Sequence, residues 1–183
     1  MGGEIPPFIY TMGGSFMNYH NIEKHSTLNG AGCRTVLWVS GCEHYCKKCQ
    51  NPQTWSYGGG VEYDDVAHQE LLLSLQDKYC DGLTLSGGDV MSPKNLEPVY
   101  NIMLDIKANM PNLNVWIYTG YKYEDIINCD AKLKLLELCD VLVDGKFEID
   151  KFDKSLKWCG SSNQRIIDIK QSLLNDEIVL YDL

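Results

Sequence analysis

Long apolar runs are missing from this chain of 183 residues. None approaches the roughly 18–20 residues that a membrane-spanning helix requires, so no membrane segment is expected. Positive charge is also scarce. Sixteen Lys and Arg stand against 25 Asp and Glu, for a formal net charge of −9. A nucleic-acid surface usually needs a basic stripe, and this balance argues against one. The N-terminus lacks a basic start followed by an apolar block, so nothing reads as a secretory signal. No low-complexity stretch stands out, and an apolar content of 44% is ordinary for a globular protein. The expectation is one soluble, cytoplasmic domain, long enough to bury a core. Residues 1–16 are Gly-rich and weakly patterned, and read as a disordered or non-native N-terminal extension. Met17 is an alternative start, with 17–183 as the folded domain.

What the chain does have is cysteine, eight in all. With no sign of secretion, a reducing compartment is the better prior, and clustered thiols there point to metal binding or catalysis. Cys42, Cys46 and Cys49 fall within eight residues, whereas Cys33, Cys80, Cys129, Cys139 and Cys159 are scattered. The scattered five read as buried free thiols without a functional role.

The hydrophobic pattern predicts strands over Arg34–Val39, Leu83–Leu85, Asn114–Thr119 and Val141–Val143. Between them lie helical stretches. One opens at Asp64 or Asp65 and runs to about Tyr79, with Ala67, Leu71, Leu75 and Tyr79 on one face. A second carries Leu96, Val99, Met103 and Ile106. A third spans Tyr123–Leu138 in two pieces that break near Asn128. Arg165–Ile169 reads as one more strand or a covering segment. Strand–helix alternation implies right-handed βαβ units and a parallel sheet. A closed eightfold barrel needs roughly 200–250 residues, so the expected α/β fold is an open, partial (β/α) barrel. Every candidate motif follows directly on a strand, where parallel α/β folds gather their chemistry.

The first motif is Ser40-Gly41-Cys42-Glu43-His44-Tyr45-Cys46-Lys47-Lys48-Cys49-Gln50-Asn51, with spacing C-x3-C-x2-C. Three thiolates on one loop can converge on a metal centre. They leave one iron of a cubane open, which suits a cluster that binds its substrate directly. The alternatives are a structural zinc site completed by His44 or a distant cysteine, or three unrelated thiols. His44 reads as a packing group behind the ligands. The second motif, Ser86-Gly87-Gly88-Asp89, ends a buried strand. There, the missing Cβ atoms let a ligand approach the backbone.

These two motifs resemble those of the radical S-adenosylmethionine (SAM) superfamily. The resemblance implies a [4Fe–4S] cluster held by Cys42, Cys46 and Cys49, with the fourth iron chelated by the amino and carboxylate groups of SAM. Lys48 stands where that superfamily often has an aromatic residue, and Asp89 stands where it commonly has Glu. A longer series of stretches resembles the activating proteins of anaerobic (class III) ribonucleoside-triphosphate reductases. It comprises Asn18-Tyr19-His20, Thr54-Trp55, Trp116 with Tyr118-Thr119-Gly120-Tyr121, Val141 to Phe147, and Gly160 to Arg165. Cys159 departs from that pattern, which usually has Arg before Gly-Ser.

By that resemblance, Lys48, Cys49, Gln50, Gly88 and Asp89 contact SAM, and no catalytic side chain is implied beyond the cluster and SAM. The implied reaction is reductive SAM cleavage followed by formation of a glycyl radical on the reductase. The implied partners are that reductase and a one-electron donor such as flavodoxin or ferredoxin. A homodimer is left open. The competing functions are activation of another glycyl-radical enzyme (pyruvate formate-lyase type), radical SAM chemistry on a small molecule, and a non-catalytic zinc-binding interaction module.

Overall fold

The computed structural model describes residues 17–182, so the N-terminal extension lies outside the described residues. One seven-stranded sheet organises them. Its strands are β1 (Asn18–Ser26), β2 (Arg34–Val39), β3 (Val61–Glu62), β4 (Gly82–Gly87), β5 (Asn114–Tyr118), β6 (Val141–Asp144) and β7 (Arg165–Asp168). Their order across the sheet is β3-β1-β2-β4-β5-β6-β7. The helices are α1 (Asp65–Leu75), α2 (Leu96–Asn109), α3 (Tyr123–Ile127), α4 (Asp130–Leu136) and α5 (Ile169–Asn175).

The four apolar strands read from the sequence, β2, β4, β5 and β6, are mutually parallel. Helical crossovers connect them, as parallel neighbours require. The expected parallel sheet is nevertheless corrected to a mixed one, because β1, β3 and β7 pair antiparallel. The link from Ser26 to Arg34 is too short for a crossover, so β1 can only return as an antiparallel neighbour of β2. Helix α1 is shorter than its periodicity predicts. After Leu75 the Asp77 carboxylate accepts from the Tyr79 backbone N–H at 2.9 Å, a local turn that competes with further helix. At its other end Asp64 caps the helix by accepting from Ala67 N–H at 2.9 Å.

Strand alternation divides the sheet into two faces. Leu37, Val39, Leu83, Leu85, Val115, Ile117 and Leu142 pack in one core with helical residues including Leu71, Val99, Met103, Ile106 and Leu135. The other face carries a smaller apolar cluster of Trp116, Val141, Val143 and Ile166, covered by Trp158, Tyr181 and neighbours. It also holds Arg34, only 1% exposed. Arg34 donates to Thr84 Oγ1 (2.7 Å), to the Leu83 carbonyl (2.6 Å), and to the Ala31 and Asn114 carbonyls (3.1 Å each). Its guanidinium lies over the Trp116 ring at 5.5 Å. Burial pulls its pKa down to about 10. The neutral acceptors bind all three nitrogens and compensate part of that desolvation.

Candidate metal and cofactor site

The cysteine loop leaves the C-terminal end of β2 with little regular structure, so its shape comes from its neighbours. Gly41 N–H donates to the Thr54 carbonyl (2.7 Å) and Cys42 N–H to the Trp55 carbonyl (3.0 Å). From the adjacent strand end, Gly88 N–H donates to the Val39 carbonyl and Asp89 N–H to the Gly41 carbonyl, both at 2.8 Å. The buried Asn95 amide closes the junction, donating to the carbonyls of Ser40 (2.9 Å), Asp89 (2.9 Å) and Gly41 (3.1 Å). Glycine is required twice here. Gly41 has φ +98°, and a Cβ on it would run into the Tyr57 ring. A Cβ on Gly88 would stand 2.5 Å from the Gly41 carbonyl oxygen.

Asp89 joins this junction to the end of β5. It is 1% exposed. Its carboxylate accepts from His44 Nε2 (2.6 Å), Thr119 Oγ1 (2.9 Å), Gly120 N–H (2.9 Å) and Met91 N–H (2.8 Å). The His44 ring also packs edge-on against Tyr121 at 4.8 Å. A carboxylate thus anchors the His44 ring, which lines the same cavity as the three cysteines. The next strand end is braced similarly. Asp144 accepts from Tyr123 N–H (2.9 Å) and from the Arg165 guanidinium, which also forks onto Glu124. Gln164 ties the following loops together, accepting from Gly160 N–H (2.9 Å) and donating to the Gly145 carbonyl (3.0 Å).

These strand ends enclose a cavity of about 660 Å³. That volume lies within the roughly 300–1,000 Å³ of small-molecule and cofactor sites. Cys42, Cys46 and Cys49 line it together with Gln50, Gly88 and Asp89. Lys48, the other residue expected at the cofactor, does not line it. Lys48 is exposed and takes a left-handed backbone, φ 60°. Gln164, Trp158 and Cys159 do line it. Gln164 falls in the Gly160 to Arg165 stretch that carried the family resemblance and Cys159 just before it, whereas nothing in the sequence singled out Trp158. Of the five scattered cysteines only Cys139 is buried. Cys33, Cys80, Cys129 and Cys159 are partly exposed, which corrects their reading as buried thiols.

The donor set fits an iron–sulfur cluster better than a single ion. All three motif cysteines are free thiols. Among the described residues, no three His, Cys, Asp or Glu side chains converge tightly enough to grip one metal ion. A cubane asks less convergence, since each thiolate takes a different iron. Burial pushes the Cys42 thiol up to about 11. Burial also raises Cys46, against a backbone hydrogen bond from Phe147 that lowers it. A cationic centre offsets that cost, because a coordinating thiol is deprotonated outright.

Comparison with known proteins agrees with this chemistry. Residues 28–167 match a family model described as a 4Fe-4S single cluster domain. The chain is 42% identical over 150 residues to the anaerobic ribonucleoside-triphosphate reductase-activating protein of Enterobacteria phage T4, covering 82% of this chain and 93% of that one. It is 41% identical over 152 residues to the protein of that name from Haemophilus influenzae, covering 82% and 97%. The Escherichia coli K12 protein of that name is 39% identical over 150 residues, covering 81% and 96%. The chain belongs to the family of anaerobic ribonucleoside-triphosphate reductase-activating proteins.

Proposed function

We propose that this protein is a radical SAM enzyme that installs a glycyl radical on an anaerobic ribonucleoside-triphosphate reductase. The observation that carries the reading is the meeting of the C-x3-C-x2-C loop and the Gly-Gly-Asp loop on one cavity wall, pinned together by backbone hydrogen bonds. The four parallel strands and their crossovers suit an open partial barrel, with the site at the strands' C-terminal ends.

In this reading Cys42, Cys46 and Cys49 hold three irons of a [4Fe–4S] cluster. Cys49, Gln50 and Gly88 border the place of SAM, and Lys48 contributes at most through its backbone. When bound, the cluster would supply the electron for reductive cleavage of the carbon–sulfur bond of SAM. The protein's own share is positional. Gly88 presents backbone at close range. Asp89, its carboxylate filled by four protein donors, fixes the cysteine loop and the β5 end in register. Trp158 and Phe147 line the cavity. No membrane-crossing helix occurs among the described residues, and a cytoplasmic enzyme reduced by flavodoxin or ferredoxin fits the reading. A homodimer is compatible with it.

Anaerobic reconstitution tests the reading. The protein is expected to bind four irons and, with dithionite and SAM, to release 5′-deoxyadenosine. Mixing with a class III reductase is expected to give a glycyl doublet by electron paramagnetic resonance. Cys159→Ser is expected to leave the iron content unchanged. Bound zinc without SAM cleavage refutes the reading, and loss of a cluster iron in the Cys159 variant refutes the open corner.

A further inference from the structure

Cys33 and Cys80 lie at the opposite end of the sheet from the cysteine loop, where β2 and β4 begin. Two hydrogen bonds clamp their neighbourhood: Asp81 N–H donates to the Cys33 carbonyl at 2.7 Å, and Cys33 N–H donates to Asp81 Oδ2 at 2.8 Å. The parallel register pairs Arg34 with Gly82. Cys33 therefore sits across from Asp81, one residue from Cys80. A lateral spacing of ~4.8 Å and a one-residue rise of ~3.3 Å put the two Cα atoms about 6 Å apart. Disulfides span Cα separations of about 4.4–6.8 Å.

Side-chain direction agrees. Arg34 points to the Trp116 face, so its neighbour Thr35 points to the helical face. Cys80 Sγ lies 3.5 Å from Thr35 Oγ1, on that same helical face. Cys33 directly precedes the strand, and carrying its alternation back by one residue would place Cys33 on that face too. The Cys33 thiol is raised first by partial burial, then by the negative charge of an ionised Cys80 beside it, and then by Asp81 and Asp77. Both thiols are free and partly exposed.

We infer that Cys33 and Cys80 form a redox-active dithiol that closes to a disulfide when the cell meets oxidant. The co-reactant is a low-molecular-weight disulfide of glutathione type. One protein thiolate attacks it, breaking its S–S bond and leaving a mixed disulfide with release of one small thiol. The second protein thiolate displaces the other half, so two protein thiols are oxidised and two small thiols leave with the two protons. The new bond closes a loop that contains β2, the whole cysteine loop and α1. It ties together the two ends of the segment that bears the cluster thiols.

The test uses the anaerobic holoprotein titrated with oxidised glutathione, digested without reductant after alkylation, and mapped by mass spectrometry. A Cys33–Cys80 linked peptide is expected before any link to Cys42, Cys46 or Cys49. Its yield is expected to fall at least tenfold in Cys33→Ser, with dithionite-driven SAM cleavage by that variant unchanged. Oxidised wild type is expected to melt higher than reduced, and the Cys33→Ser variant is expected to show no such shift. Stable mixed disulfides at both sites, or first linkage to a cluster cysteine, overturns the inference. Because SAM cleavage is read separately, failure of the dithiol is distinct from failure of the proposed enzyme activity.

Discussion

Replacing Asn95 by alanine is expected to destabilise the protein by about 2–4 kcal/mol, although Asn95 belongs to no motif. Its amide serves three buried carbonyls. After truncation the Gly41 carbonyl keeps Asp89 N–H, and the Asp89 carbonyl keeps Ser92 N–H. Among the described residues the Ser40 carbonyl is left without a donor. One stranded buried carbonyl costs about 1–3 kcal/mol, and the second lost hydrogen bond about 0.5–1.5 more. For a domain of this size that lowers the melting temperature by roughly 5–15 °C. Asn95→Asp is expected to be worse than alanine at pH 8, since an ionised carboxylate only accepts and would face three carbonyl oxygens. Its folded pKa would rise above the unfolded value of about 3.9, so its penalty is full at high pH and relieved as pH falls. Urea unfolding of the anaerobic apoprotein, followed by circular dichroism at pH 5 and 8, measures both. An alanine variant within about 0.5 kcal/mol of wild type would refute the clamp, since that is the ordinary range for a neutral surface change.

Three further outcomes are expected. The hydrogen bond from Arg165, with help from a backbone N–H, holds the Glu124 carboxyl down at about 2. Its stabilising contribution is therefore complete above the unfolded value of about 4.3 and is lost as pH falls toward 2. Glu124→Gln is expected to flatten that part of an acid titration by well under 1 kcal/mol, since the pair is largely exposed and screened by salt. Gly41→Ala is expected to abolish iron binding, read as iron per chain. Adding Tyr57→Ala is expected to restore it only partly, because the positive φ still costs a non-glycine residue ~1–2 kcal/mol. Cys46→Ala is expected to lose the four-iron cluster and SAM cleavage together, checked by iron analysis and product chromatography, because two thiolates cannot hold a cubane that normally takes four.

The parallel strands were legible because each is a short apolar run between polar turns, and buried parallel strands read that way. Strand β1 was not. Its sequence, Asn18-Tyr19-His20-Asn21-Ile22-Glu23-Lys24-His25-Ser26, is mostly polar, and its pairing with β2 carries register shifts that spoil alternation. Strand β3 has two exposed residues and leaves no pattern. In the site, the cysteines and glycines announced themselves by spacing. Asn95 did not, since a lone amide gives no periodic signal and two of its partners lie far along the chain. Asp89 was noticed as a cofactor neighbour, but the donors that fill its carboxylate come from three separate segments. That convergence exists only after folding.

The web around Asp89 and Asn95 consists wholly of protein–protein hydrogen bonds, drawn from β2, β4, β5 and the start of α2. These contacts fix the start of the cysteine loop and the Gly-Gly-Asp loop through bonds that need no metal. In a zinc finger, by contrast, the metal must supply the folding energy itself. On that footing, a chain stripped of its iron by oxygen is expected to keep its fold and to be recharged without passing through the unfolded state.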